Sequence, residues 1–258
     1  MTMKHVPEEY LYDYEGVCWW CGDAANSREH KWKKSEIKGM YGTAGSQSYP
    51  LLWIHEDGTS KTVQGPDSDI LKFEKSLCQN CNNARSQPFD LAYDRWDHTV
   101  LRTLGLKRVI DLRDIADDAG SEFRLDLAKY FAKHIGCRVA DKAGRVPTSL
   151  IAFLNGESES SAFVWTELSI SRSALENHDV TRHMLGMQRT VADYSHEARA
   201  LSSLKGALLH GALQLIWDIN LDPGREDTGS GILTSDIHWL RDVDDDLYTH
   251  LGEVSRTI

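Results

Sequence analysis

Four of the five cysteines stand in two Cys-x-x-Cys pairs, Cys18 with Cys21 and Cys78 with Cys81. A two-residue gap lets both sulfurs of a pair face one point. Two such pairs supply the four thiolates that a tetrahedral Zn²⁺ prefers. Two segments far apart in the chain must therefore meet at one ion. The stretch Met1 to Tyr14 is polar and acidic and lacks the apolar core of a signal peptide. No apolar run approaches the roughly 20 residues that a membrane helix needs. A cytoplasmic location is expected, and in that reducing compartment paired cysteines read as a zinc site rather than as disulfides. Cys137 stands apart and reads as a buried, inert thiol.

The rest of the chain reads as α+β, with helices followed by an antiparallel sheet. Hydrophobic residues make up 41% and charged residues 26% of the sequence, enough apolar material for a real core. Charge divides the chain. Residues 1–110 carry 14 Lys/Arg against 15 Asp/Glu, and residues 111–258 carry 15 against 24, so most of the net charge of −10 lies in the second part. We expect a zinc-binding domain over 1–110 and an acidic α+β domain over 111–258, the latter a poor surface for nucleic acid. Leu51–His55 and Lys61–Gln64 flank Asp57-Gly58, a hairpin signal. A short helix is expected from Cys81 to Gln87, stopped by Pro88. A second follows to Leu104, with Leu91, Trp96, Val100 and Leu104 near helical spacing. An amphipathic helix over Glu122–Ile135 is expected to end at Gly136. Another spans Pro147–Leu154 and closes at Asn155-Gly156. Ala162–Ile170, Met184–Tyr194, Ala207–Ile219 and Ile232–Leu240 read as strands.

Between the cysteine pairs stands Arg28-Glu29-His30-Lys31, followed by Lys33, Lys34 and Lys38. Such a local basic cluster can meet phosphate, or it can be a solvated lysine face. The second pair runs on as Asn82-Asn83-Ala84-Arg85. A cysteine knuckle, an acidic-His dipeptide and a second knuckle followed by Asn and a basic residue resemble the HNH endonuclease family, over roughly residues 15–95. The stretch Cys81 to Asp90 is also similar to a group of bacterial proteins of unassigned function.

The resemblance implies a treble clef, or ββα-metal unit, stapled by a structural Zn²⁺ on Cys18, Cys21, Cys78 and Cys81. It implies that His30 is the general base, with Glu29 and Asn82 holding one catalytic Mg²⁺ or Mn²⁺. Arg85, with Arg28, Lys31, Lys33 and Lys34, would contact phosphate. The implied partner is DNA rather than RNA, and the implied activity is phosphodiester hydrolysis, in a bacterium as defence against foreign DNA. The chemistry suits the residues: hydrolysis needs an activated water and charge relief on the phosphate, and a histidine near neutral pKa is a suitable base. The family's middle Asn has no counterpart, since Phe73 and Glu74 occupy that region. Asn82, Asn83 and Asp90 all compete to complete the second metal site.

A second expectation comes from a different class. The zinc unit would be a catalytically inactive module that binds protein or nucleic acid, and the acidic part would serve a homodimer or a protein partner. The two differ in whether Glu29, His30 and Asn82 converge on a second ion. Elsewhere, Asp242, Asp244, Asp246 and Glu253 sit at calcium-loop spacing, but Leu247 occupies the glycine position, so a solvated acidic turn is expected. The glycine-rich run from Gly39 lacks the Lys-Ser/Thr ending of a phosphate loop.

Overall fold

The computed structural model describes residues 11–42, 51–54, 59–103, 109–116, 120–142, 144–160, 164–171, 176, 185–187, 191–222, 231–235 and 237–243. The Asp57-Gly58 turn, most of the glycine-rich run and residues 244–258 of the acidic tail lie outside them. Two compact units are present, one of Tyr14–Arg85 and one of Met1–Asp13 with Ser86–Ile258. They part between Arg85 and Ser86, so residue 110 lies within the larger unit.

In the smaller unit, helix α1 (Lys34–Tyr41) carries Glu36 in its first turn and Lys38 in its last, as the helix dipole favours. It stops at Gly42, whose φ of 76° a side chain would disfavour. Strands β1 (Leu51–Ile54) and β2 (Ser60–Val63) pair antiparallel from Leu51↔Val63 to Ile54↔Ser60, as the hairpin pattern anticipates. The remainder is held by isolated bridges, Val17↔Ala24, Ser27↔Leu77 and His30↔Lys72. The apolar interior is thin, with Trp19, Trp20, Ile37, Leu71, Phe73 and Leu77 as its main buried side chains.

The larger unit is α+β. Its helices are α2 (Gln87–Thr103), α3 (Arg113–Ala116), α4 (Gly120–Asp141) and α5 (Thr148–Asn155). Pro88 sits in the first turn of α2 rather than stopping a helix, because the N–H it lacks would have no partner there anyway. The buried stripe of α2 is Phe89, Ala92, Tyr93, Trp96 and Val100, while Leu91 is 58% exposed. This corrects the expected stripe: a five-residue step from Leu91 to Trp96 leaves Leu91 off the face that packs. Tyr93 stacks on Tyr130 of α4 at 4.0 Å, and Trp96 meets Phe131 edge-on at 5.7 Å. Helix α4 also runs through Gly136 to Asp141 instead of ending there. Residues 131–139 are all buried, and packing on every side outweighs the ~1 kcal/mol cost of an internal glycine. Lys133, buried in α4, lies 3.1 Å from Ser86 Oγ and 3.5 Å from Asp90 Oδ1, tying α4 to the start of α2. Gly156 closes α5 in the left-handed conformation.

The sheet contains β4 (Val164–Ser171), β5 (Leu185–Met187), β6 (Val191–Ser195), β7 (Ala200–His210), β8 (Leu213–Asn220) and, paired parallel to β4, a short strand at Arg241–Val243. All other pairs in it are antiparallel; β4, β8 and β7 lie side by side, and β5 and β6 both pair with β7. The expected strand over Ala207–Ile219 is a hairpin: Gly211 and Ala212 turn the chain between His210 and Leu213, which pair across the closure. The expected last strand over Ile232–Leu240 is shorter than its pattern: Ile232 and Leu233 lie in a turn, Ile237–Trp239 is extended, and a further strand follows just beyond it. Strand β9 (Ile237–Trp239) pairs with β3 (Val109–Asp111) in a separate two-stranded sheet, and the segment at Arg241–Val243 becomes β10 on the edge of the main one. On one face of the main sheet, Leu168, Ile170, Leu204, Leu213, Leu215, Trp217 and Ile219 are buried. Among the described residues no helix is long and apolar enough to cross a membrane.

Gly206 pairs with Trp217, and a Cβ there would lie 2.7 Å from the indole. We expect Gly206→Ala to destabilise the larger unit by roughly 1–3 kcal/mol through overpacking, read as a lower midpoint in urea denaturation.

Candidate metal centre

The first knuckle is a tight turn. Cys18 N–H donates to Asp23 O at 2.6 Å and Gly22 N–H to Cys18 O at 2.8 Å. Gly22 takes a φ of 83°, which its lack of a Cβ permits. The second knuckle begins a short helical segment. Cys81 N–H points at Cys78 Sγ (3.4 Å), Asn82 N–H donates to Cys78 O (3.0 Å), and a π-turn spans Asn80–Ala84. Asn26 Oδ1 caps its start by accepting from Gln79 N–H at 2.8 Å.

These turns bring the four sulfurs together. The Sγ atoms of Cys18, Cys21, Cys78 and Cys81 all lie within 4.8 Å of one another, and those of Cys21 and Cys78 are 3.5 Å apart. Four ligands at a Zn–S bond length of ~2.3 Å in a tetrahedron have their sulfurs about 3.8 Å apart. The donor set fits a zinc ion, and these four cysteines could hold one. Burial pushes Cys21 up to about 11, helped by the Cys78 and Cys18 thiols against the Asp23 backbone N–H and Cys81. Burial, then Cys21, Cys18 and Cys78, drive Cys81 higher, since a thiolate this close to other sulfurs is hard to form. Burial acts the same way on Cys78, but hydrogen bonds from Cys81 N–H and the adjoining thiols hold it below the ordinary value. A dication among them lets all four serve as thiolates, with release of protons. Trp19 and Trp20, stacked at 6.1 Å, are buried beside the cluster. Arg85 lies over the Trp20 ring at 4.7 Å and points Nη1 at Cys81 Sγ, 3.8 Å away.

The acidic-His segment is an extended stretch laid against the approach to the second knuckle. Ser27 N–H donates to Leu77 O, Phe73 N–H to Glu29 O and Lys31 N–H to Leu71 O, at 2.7–2.9 Å. Asn82 reaches across to this stretch, donating from Nδ2 to Ser27 Oγ (2.9 Å) and Arg28 O (3.3 Å). Asn83 points elsewhere: its Nδ2 donates to Gln79 O, and it lines an open cleft of about 600 Å³ with Asp23, Asn26, Gln79 and Asn80. Asp90, in the larger unit, is engaged by Lys133. Among the described residues, Glu29 and His30 do not join a third histidine, cysteine or carboxylate in a compact ligand set.

His30 is largely buried. Its Nε2–H donates to Pro66 O at 3.2 Å, and Asp67 Oδ1 is 3.9 Å away. Burial and then Lys72 lower its pKa below 6.5, against the opposing pull of the Pro66 carbonyl and Asp67. Sequence reading missed Pro66 and Asp67, which stand 36 and 37 positions away with no motif to mark them. The basic residues are mostly engaged within the unit. Arg28 bridges Asp69 at 2.7 Å and Glu74 at 3.6 Å, and donates to Phe73 O. Lys34 pairs with Asp67 at 2.6 Å. Lys31 donates to Ile70 O and lies over Trp53. Lys33 immediately precedes α1.

Comparison with models of known protein families, with curated proteins and with solved structures finds no match.

Two outcomes follow. Purified protein should carry one zinc per chain, and Cys81→Ala or strong chelation should remove it and abolish slow amide exchange across Tyr14–Arg85, seen by mass spectrometry. His30 should titrate below 6.5 in an NMR pH series. Its folded pKa is the lower one, so its contribution to stability is full above 6.5 and falls away as pH drops below that value.

Proposed function

We propose that the smaller unit is a metal-dependent endonuclease of the HNH type, acting on DNA. One observation carries the reading: Asn82, one turn into the second knuckle, is tied to Ser27 and the backbone of Arg28, next to Glu29 and His30. An extended acidic-His stretch beside a helical turn that a zinc ion could staple is what a treble clef with a ββα-metal site would present. Burial and Lys72 lower the His30 pKa, which favours the neutral ring that a base must be. With Nε2–H on the Pro66 carbonyl, Nδ1 keeps the lone pair that takes the proton from the attacking water. Glu29 and Asn82 would hold a Mg²⁺ or Mn²⁺ ion. When bound, that ion supplies charge relief on the phosphate and the leaving oxygen. A role in bacterial defence against foreign DNA belongs to the same reading.

A second reading has its own observation. Arg28 and Lys34, expected to meet phosphate, already pair with Asp69, Glu74 and Asp67. That favours a zinc module that binds a partner without cutting it, with the larger unit serving self-association or a protein contact.

Plasmid cleavage with Mg²⁺ or Mn²⁺ separates the two. We expect wild type to cut and His30→Ala to lose about 10²–10⁴-fold in rate, at equal zinc content in both. Equal cutting by both proteins, or none by zinc-loaded wild type, would sink the nuclease reading.

A further inference from the structure

Cys21 differs from its three partners in exposure. Cys18, Cys78 and Cys81 are 1%, 5% and 0% exposed, whereas Cys21 lies open to solvent. Asp23 follows it in the turn, with its carboxylate 3.4 Å from the Cys21 sulfur. Cys81, by contrast, is shielded by Arg85, whose guanidinium rests on Trp20. The Cys21 sulfur is 3.5 Å from that of Cys78, 57 positions away on the other knuckle. An accessible sulfur with a second sulfur in reach is the arrangement of an oxidant-reactive cysteine and its resolving partner. A zinc-bound sulfur is a thiolate and keeps its nucleophilic electron pair.

We propose that Cys21 and Cys78 form an oxidative modification site whose substrate is a hydroperoxide, and that the resulting disulfide ejects the zinc. In the first step the Cys21 thiolate attacks one peroxide oxygen. The S–O bond forms, the O–O bond breaks, and hydroxide leaves with the bonding pair. In the second, the Cys78 thiolate attacks the Cys21 sulfenic sulfur. The S–S bond forms, the S–O bond breaks, and a second hydroxide leaves. Two thiolates together give up two electrons, and one hydrogen peroxide becomes two hydroxides. Cys18 and Cys81 alone are too few ligands to retain the ion. Oxidation thereby removes the staple of Tyr14–Arg85, and a thiol reductant with zinc restores it. The inference rests on the zinc centre and is independent of whether the unit cuts DNA.

The test uses the zinc-loaded full chain, hydrogen peroxide and a chromophoric zinc chelator, with peptide mass spectrometry of the alkylated products. Release of one zinc per chain together with a Cys21–Cys78 cross-link is the expected result. Cys21→His offers a zinc-binding nitrogen that cannot form a disulfide, and should keep its zinc under the same treatment. The wild-type cross-link decides the matter even if that variant does not fold. Retained zinc after oxidation, a Cys18–Cys21 bond instead, or equally fast release from Cys21→His would each overturn the proposal. Metal content measured before oxidant is added tells a failed zinc assignment, which also overturns it, from a failed redox one.

Discussion

The convergence of four sulfurs is the constraint on which the smaller unit depends. Among the described residues its buried apolar side chains are few, and much of the backbone is held by isolated bridges rather than extended ladders. A unit this small and loop-rich cannot easily offset the entropy of ordering its chain by apolar burial alone. A zinc ion held by these four cysteines, which bring together residues 57 positions apart, would supply the missing cohesion. Removing one of the four ligands therefore threatens the whole unit and not only its immediate neighbours.

The larger unit is built on ordinary packing. Aromatic contacts lock α2 to α4, the β7–β8 hairpin stacks Trp217 against Gly206, and Lys133 is accommodated because Ser86 and Asp90 meet its ammonium. A buried lysine without such partners would be costly.

His30 sits where two opposing influences meet. Burial and Lys72 favour the neutral ring, while the Pro66 carbonyl and Asp67 favour the charged one. Asp67 also takes up Lys34, and Asp69 and Glu74 take up Arg28. The same carboxylates thus orient the basic side chains and reduce their pull on an incoming phosphate. On the proposed nuclease reading, engaging DNA would require those pairs to open and would make binding sensitive to salt.

The sequence by itself determined what depends on local spacing. Two Cys-x-x-Cys pairs implied four sulfurs at one point, the Asp-Gly hairpin implied β1 and β2, Asn155-Gly156 implied the end of α5, and helical patterns followed by strand patterns implied α+β. The hairpin and the end of α5 are short-range properties of backbone turns, and the meeting of the four sulfurs follows from the ligand spacing within each knuckle and the four donors zinc prefers. Tertiary structure decided what depends on long-range packing. It carried α4 through Gly136 because burial on all sides outweighs the glycine, and it moved the α2 stripe from Leu91 to Phe89 and Ala92. It folded Ala207–Ile219 back on itself because a two-residue turn hides easily in an apolar run. It also chose Asn82 over Asn83 for contact with the Glu29–His30 strand, and placed Pro66 and Asp67 beside His30. Adjacent asparagines on a helical turn point about 100° apart, and only the fold determines which of those directions faces a neighbour.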